Sequence, residues 1–77
     1  MQMDYTIEQQ NILMDTLPEF LKNDILALEE GRKNKSTLLD CLWGEVYGSI
    51  NSAFYGHAIT EKEADFLREK YLGLEPR

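Results

Sequence analysis

The stretch Ser36–Gly56, STLLDCLWGEVYGSINSAFYG, decides the fold. It holds the only Trp and the only Cys of the chain, Trp43 and Cys41. Leu39, Leu42, Val46, Ile50, Ala53 and Phe54 recur at spacings of three and four, which places them on one face of a helix. Leu38, Trp43 and Tyr47 broaden that face, so this helix is covered on more than one side. The aromatic and β-branched run Trp43–Ile50 competes as a strand, and its two glycines within a helical stripe decide against it. The spacing predicts a helix over 37–55, with Ser36 as its N-cap and Gly56 at its end.

A second stripe on the same helix is made of small residues: Cys41, Gly44, Gly48 and Ser52. An interior glycine costs about 1 kcal/mol relative to alanine. Two of them four residues apart predict a close neighbouring backbone. The favoured neighbour is the second or fourth helix of the same chain, with a second copy as the alternative. Cys41, Gly44, Tyr47 and Gly48 are the candidate helix–helix or dimer interface. The membrane-helix association motif of this spacing does not apply, because charged residues flank it.

On the N-terminal side, residues 1–5 read as a loose lead-in. Thr6-Ile-Glu-Gln9 then has the form of a capping box, in which a hydroxyl and an amide side chain satisfy each other's backbone N–H. A first helix is expected over 7–15, with Ile12 and Leu13 as its buried pair. Thr16-Leu-Pro-Glu19 offers a second box, with Pro18 in the first turn, where its missing N–H is harmless. The first two helices either stay separate or form one helix kinked before Pro18; proline disfavours a helical residue before it, which favours a break near Asp15–Thr16. The second helix is expected over 17–30, with Leu17, Leu21, Ile25 and Leu28 on its inner stripe and Phe20 beside them. Gly31 is placed to end it in a left-handed turn. Residues 31–35, GRKNK, then form the main loop, whose three cations sit near the negative end of a helix.

On the C-terminal side, His57-Ala-Ile59 reads as a tight corner. Thr60-Glu-Lys-Glu63 is a third capping box, and Ile59 can staple against Ala64. A fourth helix is expected over 61–72, with Ala64, Leu67 and Tyr71 inward, Phe66 at the edge and an Asp65–Arg68 pair outside. Gly73 is its C-terminal cap, Leu74 packs back, and residues 75–77 form a tail. Repeats, low-complexity segments and a linker long enough to separate domains are all lacking. The whole is an all-α bundle of three to four helices around the central one, a single domain over 1–77.

The chain has 77 residues. One small core of this size supplies only about 3–5 kcal/mol of net stability. With one Cys and one His, neither an internal disulfide nor a structural zinc site is available. Well-formed helices must therefore supply the stability, and a homodimer is one way to bury more surface.

The formal charge is −6. It argues against direct nucleic-acid binding and against docking on anionic membranes, both of which need a basic surface. Neither a membrane-length apolar run nor a signal-peptide pattern is present, so a cytoplasmic location is expected. The charge is uneven. Residues 1–30 carry seven acidic side chains against one Lys, and the rest of the chain balances, seven against seven. Asp15, Asp24, Glu29 and Glu30 are the candidate partner-binding residues of that acidic half.

His57 is the only imidazole, so any Ser–His or Cys–His chemistry must use it. Cys41 lies about 24 Å away along a continuous helix. Asp40 and Glu45 are five residues apart and point in different directions, so they do not form an acid–base pair. Glu61, Glu63 and Asp65 suit a helix start on dipole grounds alone. Phosphate loops, nucleophile elbows and metal-binding helix pairs are not found. No catalytic residue, cofactor or metal is therefore expected. The expectation is a small acidic non-enzymatic protein–protein interaction domain with a protein partner. One alternative, by analogy of type, is an acidic inhibitor, immunity protein or nucleic-acid mimic that meets a basic partner by steered encounter. From another class comes a small metal-dependent or acid–base enzyme using His57. A helix-turn-helix built from helices two and three conflicts with the acidic balance.

Overall fold

The computed structural model describes residues 5–74. Residues 1–4, with Asp4, and the tail 75–77 lie outside the described residues. Four helices follow one another: α1 (Ile7–Thr16), α2 (Glu19–Lys33), α3 (Leu39–Tyr55) and α4 (Glu61–Leu72). Among the described residues there is no strand, and the expected all-α bundle is present.

The central helix is α3. It runs antiparallel to α2, since Asp24 meets Ser49 at one end and Gly31 meets Leu42 at the other. It also runs antiparallel to α4, since Asn51 meets Arg68 and Trp43 meets Leu72. α1 lies on α4. Tyr5 packs on Phe66 with ring centroids 4.4 Å apart, Gln10 Oε1 accepts from Lys70 Nζ at 2.7 Å, and the Tyr71 hydroxyl donates to Met14 Sδ at 3.5 Å. Tyr5, expected in the loose lead-in, is thus half-buried.

Two of the three capping boxes form. Thr6 Oγ1 accepts from the Gln9 amide at 3.1 Å, and Gln9 Oε1 accepts from the Thr6 amide at 3.0 Å. Thr60 and Glu63 make the same reciprocal pair at 3.1 and 2.8 Å. The box expected at Thr16 does not form. Leu17 and Pro18 are both extended, with ψ of 147° and 144°. Proline imposes that conformation on the residue before it. α1 therefore continues through Thr16, whose hydroxyl turns back to the Leu13 carbonyl at 3.0 Å. The break falls at Leu17–Pro18, two residues later than expected. α2 starts at Glu19 with no side-chain cap, its first bonds made by the Pro18 carbonyl to the Leu21 and Lys22 amides.

α2 also ends later than expected. Gly31 is buried inside the helix, and no left-handed turn occurs there. A Cβ on Gly31 would stand 2.5 Å from Leu42 Cδ1. Its missing side chain lets α3 approach, so here packing claims the glycine that would otherwise have stopped the helix. The left-handed residue is Lys35, with φ 55°. Around it the Ser36 amide reaches the Gly31 carbonyl at 2.8 Å and the Lys35 amide reaches the Arg32 carbonyl at 3.3 Å. That double closure is a Schellman end. α3 closes identically. The Ala58 amide bonds the Ala53 carbonyl at 2.8 Å, the His57 amide bonds the Phe54 carbonyl at 3.0 Å, and His57 has φ 63°. Gly73 ends α4 in the left-handed conformation, as expected, with φ 71°.

Ser36 does not cap α3 directly. Its hydroxyl accepts from the Leu38 amide at 3.0 Å in a local turn, and regular helix begins at Leu39. The connection between α2 and α3 is thus Asn34–Leu38 rather than 31–35.

The core follows the stripes, but Phe20, Leu38 and Tyr47, expected to broaden them, are exposed because no helix lies over those edges. Leu17, Leu21, Ile25 and Leu28 are buried, as are Val46, Ile50 and Ala53 of α3 and Ala64, Phe66, Leu67 and Tyr71 of α4. Leu39, Leu42, Trp43, Phe54 and Leu74 pack half-buried at its edges. Ile59 and Ala64, the expected staple, are both buried. In α1 the expected buried pair splits: Leu13 is 4% exposed and its neighbour Ile12 is 59% exposed. Consecutive helical residues are about 100° apart. α1 covers the bundle from one side only, so it buries one of the two.

Candidate functional site

The outer face of α3 is the place to look, because the other three helices leave it uncovered. Cys41, Gly44, Tyr47 and Gly48 are all exposed. A Cβ on Gly44 or on Gly48 would meet no described residue within 4 Å. The expected neighbour, helix two or four of the same chain, is therefore not in that groove. The reason is the position of the true close approach. Gly31 of α2 supplies it on the opposite side of α3, against Leu42 and Leu39, and α4 packs through Leu67 and Ala64 rather than over the glycines.

The aromatic flank of this face is fixed. Trp43 stacks on Tyr47 with ring centroids 5.5 Å apart and an interplanar angle of 11°. The indole N–H of Trp43 donates to the Leu72 carbonyl at 3.2 Å, which ties the stacked pair to the end of α4. Tyr55 stands 76% exposed two turns further along. Between α3 and α4 lies an open groove of about 590 Å³, whose lining includes Tyr47, Asn51, Tyr55, Glu61, Asp65 and Arg68. Arg68 spans its floor. Nη2 donates to Asn51 Oδ1 at 2.7 Å, and Nη1 donates to Asp65 Oδ1 at 3.2 Å. The Asp65–Arg68 pair was legible from its spacing of three. The Asn51 link was not, because it depends on which faces of α3 and α4 meet. Tyr47, Asn51 and Tyr55, at intervals of four, were the sequence signal for the groove.

The four acidic candidates are spread apart. Asp15 is exposed on α1 and Glu30 is exposed on α2. Asp24 is half-buried and accepts from the Ser49 hydroxyl of α3. Glu29 lies toward Tyr71, whose pKa is raised above its ordinary value by burial first and by the Glu29 charge second. Asp24 and Glu29, five residues apart, are about 140° apart around the helix. They therefore flank α2 on different sides. Tyr5 is raised in the same way, by burial first and then by Glu63.

Cys41 and His57 are both exposed, near opposite ends of α3. His57 stands at the rim of a second open concavity of about 620 Å³, whose lining includes Tyr55, Ile59, Glu61 and Glu63. Glu63 is already engaged with the Thr60 amide. Among the described residues, no three His, Cys, Asp or Glu side chains converge as a metal site would require. No helix among them is long and apolar enough to cross a membrane.

No family model, curated protein or solved structure matches the chain.

Proposed function

We propose that the chain is a small acidic, non-enzymatic interaction domain that binds another protein through the outer face of α3, at Cys41, Gly44, Tyr47 and Gly48. The observation behind this is the pair of glycines inside the central helix with no described residue against them. Each costs about 1 kcal/mol of helix stability relative to alanine. Gly31, by comparison, has its cost offset by the approach of Leu42. A partner surface lying close over Gly44 and Gly48 gives those residues the same justification. Exposed Tyr47 and Tyr55 beside them are the side chains that most often anchor such contacts.

The test separates fold from binding. Gly48→Leu, and independently Gly44→Leu, keep the helical circular dichroism and melt no lower than the native chain, because no described residue occupies that space. Both lose the partner captured by the native chain from its host. A Gly48→Leu chain that keeps its partner would sink the proposal.

A second reading rests on the net charge of −6. An acidic inhibitor or nucleic-acid mimic would present Asp15, Asp24, Glu29 and Glu30 to a basic partner. Charge reversal at Asp15 and Glu29 then slows association and flattens its salt dependence. An unchanged on-rate leaves the face of α3 as the interface.

A further inference from the structure

We infer that the occupant of the α3 face is a cationic amphipathic helix rather than a second copy of this chain. The inference rests on the reading of that face as an interface and adds the chemistry of what it takes. From Asp40 to Tyr55 the face is a continuous helical surface about 22 Å long at 1.5 Å per residue. Gly44 and Gly48 leave a shallow trough along it, and Tyr47 with its Trp43 support stands as one wall. That shape lets another helix axis come close, its apolar ridge lying over the glycines and against the tyrosines.

The charge around the trough decides between occupants. α3 has no Lys, Arg or His, and its two charged side chains, Asp40 and Glu45, are exposed. Across the groove, α4 adds Glu61 and Asp65. Among the described residues the one cation lining the groove, Arg68, already donates to Asp65 and to Asn51. The other cations of α4 face away from α3. Lys62 lies over the Tyr5 ring at 5.6 Å, and Lys70 lies over Phe66 at 5.8 Å. Arg32, Lys33 and Lys35 belong to the end of α2 and the following loop, before α3 begins. A second copy docking by a two-fold axis presents the same patch to itself, so a patch of net negative charge would meet one of the same sign. Like charges across an interface disfavour that pairing. A helix with Lys or Arg on both sides of an apolar ridge matches the rim.

Two synthetic peptides of about fourteen residues probe this, one an amphipathic Leu/Lys helix and one its Leu/Glu counterpart, each titrated into the ¹⁵N-labelled full chain. The Leu/Lys peptide shifts the amides of residues 40–55 and 61–68, changes Trp43 fluorescence and weakens as salt is raised. Asp40→Asn with Glu45→Gln lowers its affinity about fivefold at low salt, as two exposed ion pairs would. Equal binding by the Leu/Glu peptide, or shifts centred on Glu19, Glu29 and Glu30 of α2, overturns the inference. The two levels of the proposal fail separately. A partner or second copy lost on Gly48→Leu but indifferent to Asp40→Asn with Glu45→Gln overturns the cationic occupant alone. Indifference to Gly48→Leu overturns the interface as well.

Discussion

Lys35 and His57 hold the left-handed positions of two Schellman ends, where glycine is the residue with no steric penalty. A side chain there costs about 1–2 kcal/mol in its Cβ–carbonyl contact. Part of that is recovered by the smaller freedom of a non-glycine in the unfolded chain. Lys35→Gly and His57→Gly are each expected to stabilise the fold by about 0.5–1 kcal/mol, read from urea midpoints at constant slope. The chain does have glycines next to both turns, at positions 31 and 56. Gly31 sits instead where α3 approaches, and Gly56 sits one residue before the turn. The helix-interior glycines give a ranked expectation. Gly44→Ala and Gly48→Ala stabilise the isolated chain by about 0.5–1 kcal/mol each, because the added methyl meets nothing. Gly31→Ala gains the same backbone stiffness but must displace the Leu42 methyl group 2.5 Å away. It is therefore expected to stabilise less than either. A Gly31→Ala chain more stable than Gly48→Ala would contradict the close packing of α2 on α3.

The helices differ in how firmly they are held. α4 contributes five buried residues, Ala64, Phe66, Leu67, Tyr71 and Leu72, and closes against α3. α1 contributes only Leu13. It is tied to α4 by the Tyr5–Phe66 ring contact just before its start and by two side-chain bonds, Lys70 to Gln10 and Tyr71 to Met14. Both helices begin with the same capping box, so removing the two hydroxyls is a matched comparison. Thr60→Ala is expected to cost about 1 kcal/mol of global stability. Thr6→Ala removes the same bond from a helix that buries only Leu13. It is expected to speed amide exchange within 7–16 while leaving the slowest-exchanging amides of α2–α4 unchanged. Equal effects of the two substitutions on the global transition would show α1 to be part of the cooperative unit.

The whole molecule has little stability to lose. At about 0.05–0.15 kcal/mol per residue a chain of this length holds only several kcal/mol. Leu21, Ile25, Ile50 and Leu67 are all fully buried at the junction of α2, α3 and α4. Truncating such a residue to alanine costs about 2–5 kcal/mol. Leu67→Ala should therefore leave a large unfolded fraction at 25 °C, visible in far-ultraviolet circular dichroism. The pH dependence has its own signature at the alkaline end. Tyr71 is buried, with Glu29 opposing its ionisation, so its folded-state pKa lies above the usual value of about 10. The native state then holds that proton more tightly than the unfolded state. The associated stability is complete below pH about 10 and is lost as pH rises through the folded-state pKa. Tyr71→Phe is expected to flatten that alkaline decline in urea titrations, while giving up the bond to Met14. An unchanged slope would mean that Tyr71 titrates as a free phenol.

The helical periods of 3 and 4, the boxes at Thr6 and Thr60, the bias against helix before Pro18 and the cap at Gly73 are local chemistry. Each depends on residues within a turn of one another, and each was legible in the sequence. The sequence by itself therefore determined the helical segments and most of the core, while the separation of α1 from α2 came from the structure. It did not determine what the glycines are for. Gly31 carried a stop signal and Gly44 and Gly48 carried a packing signal, yet Gly31 is the glycine that packs, and no described residue meets the other two. A glycine marks only the lack of a side chain. Whether that space holds a neighbouring helix, a left-handed turn or nothing from the same chain depends on which faces of α2, α3 and α4 meet. Contacts between residues distant in the chain set that choice, and it leaves the glycine face of α3 open.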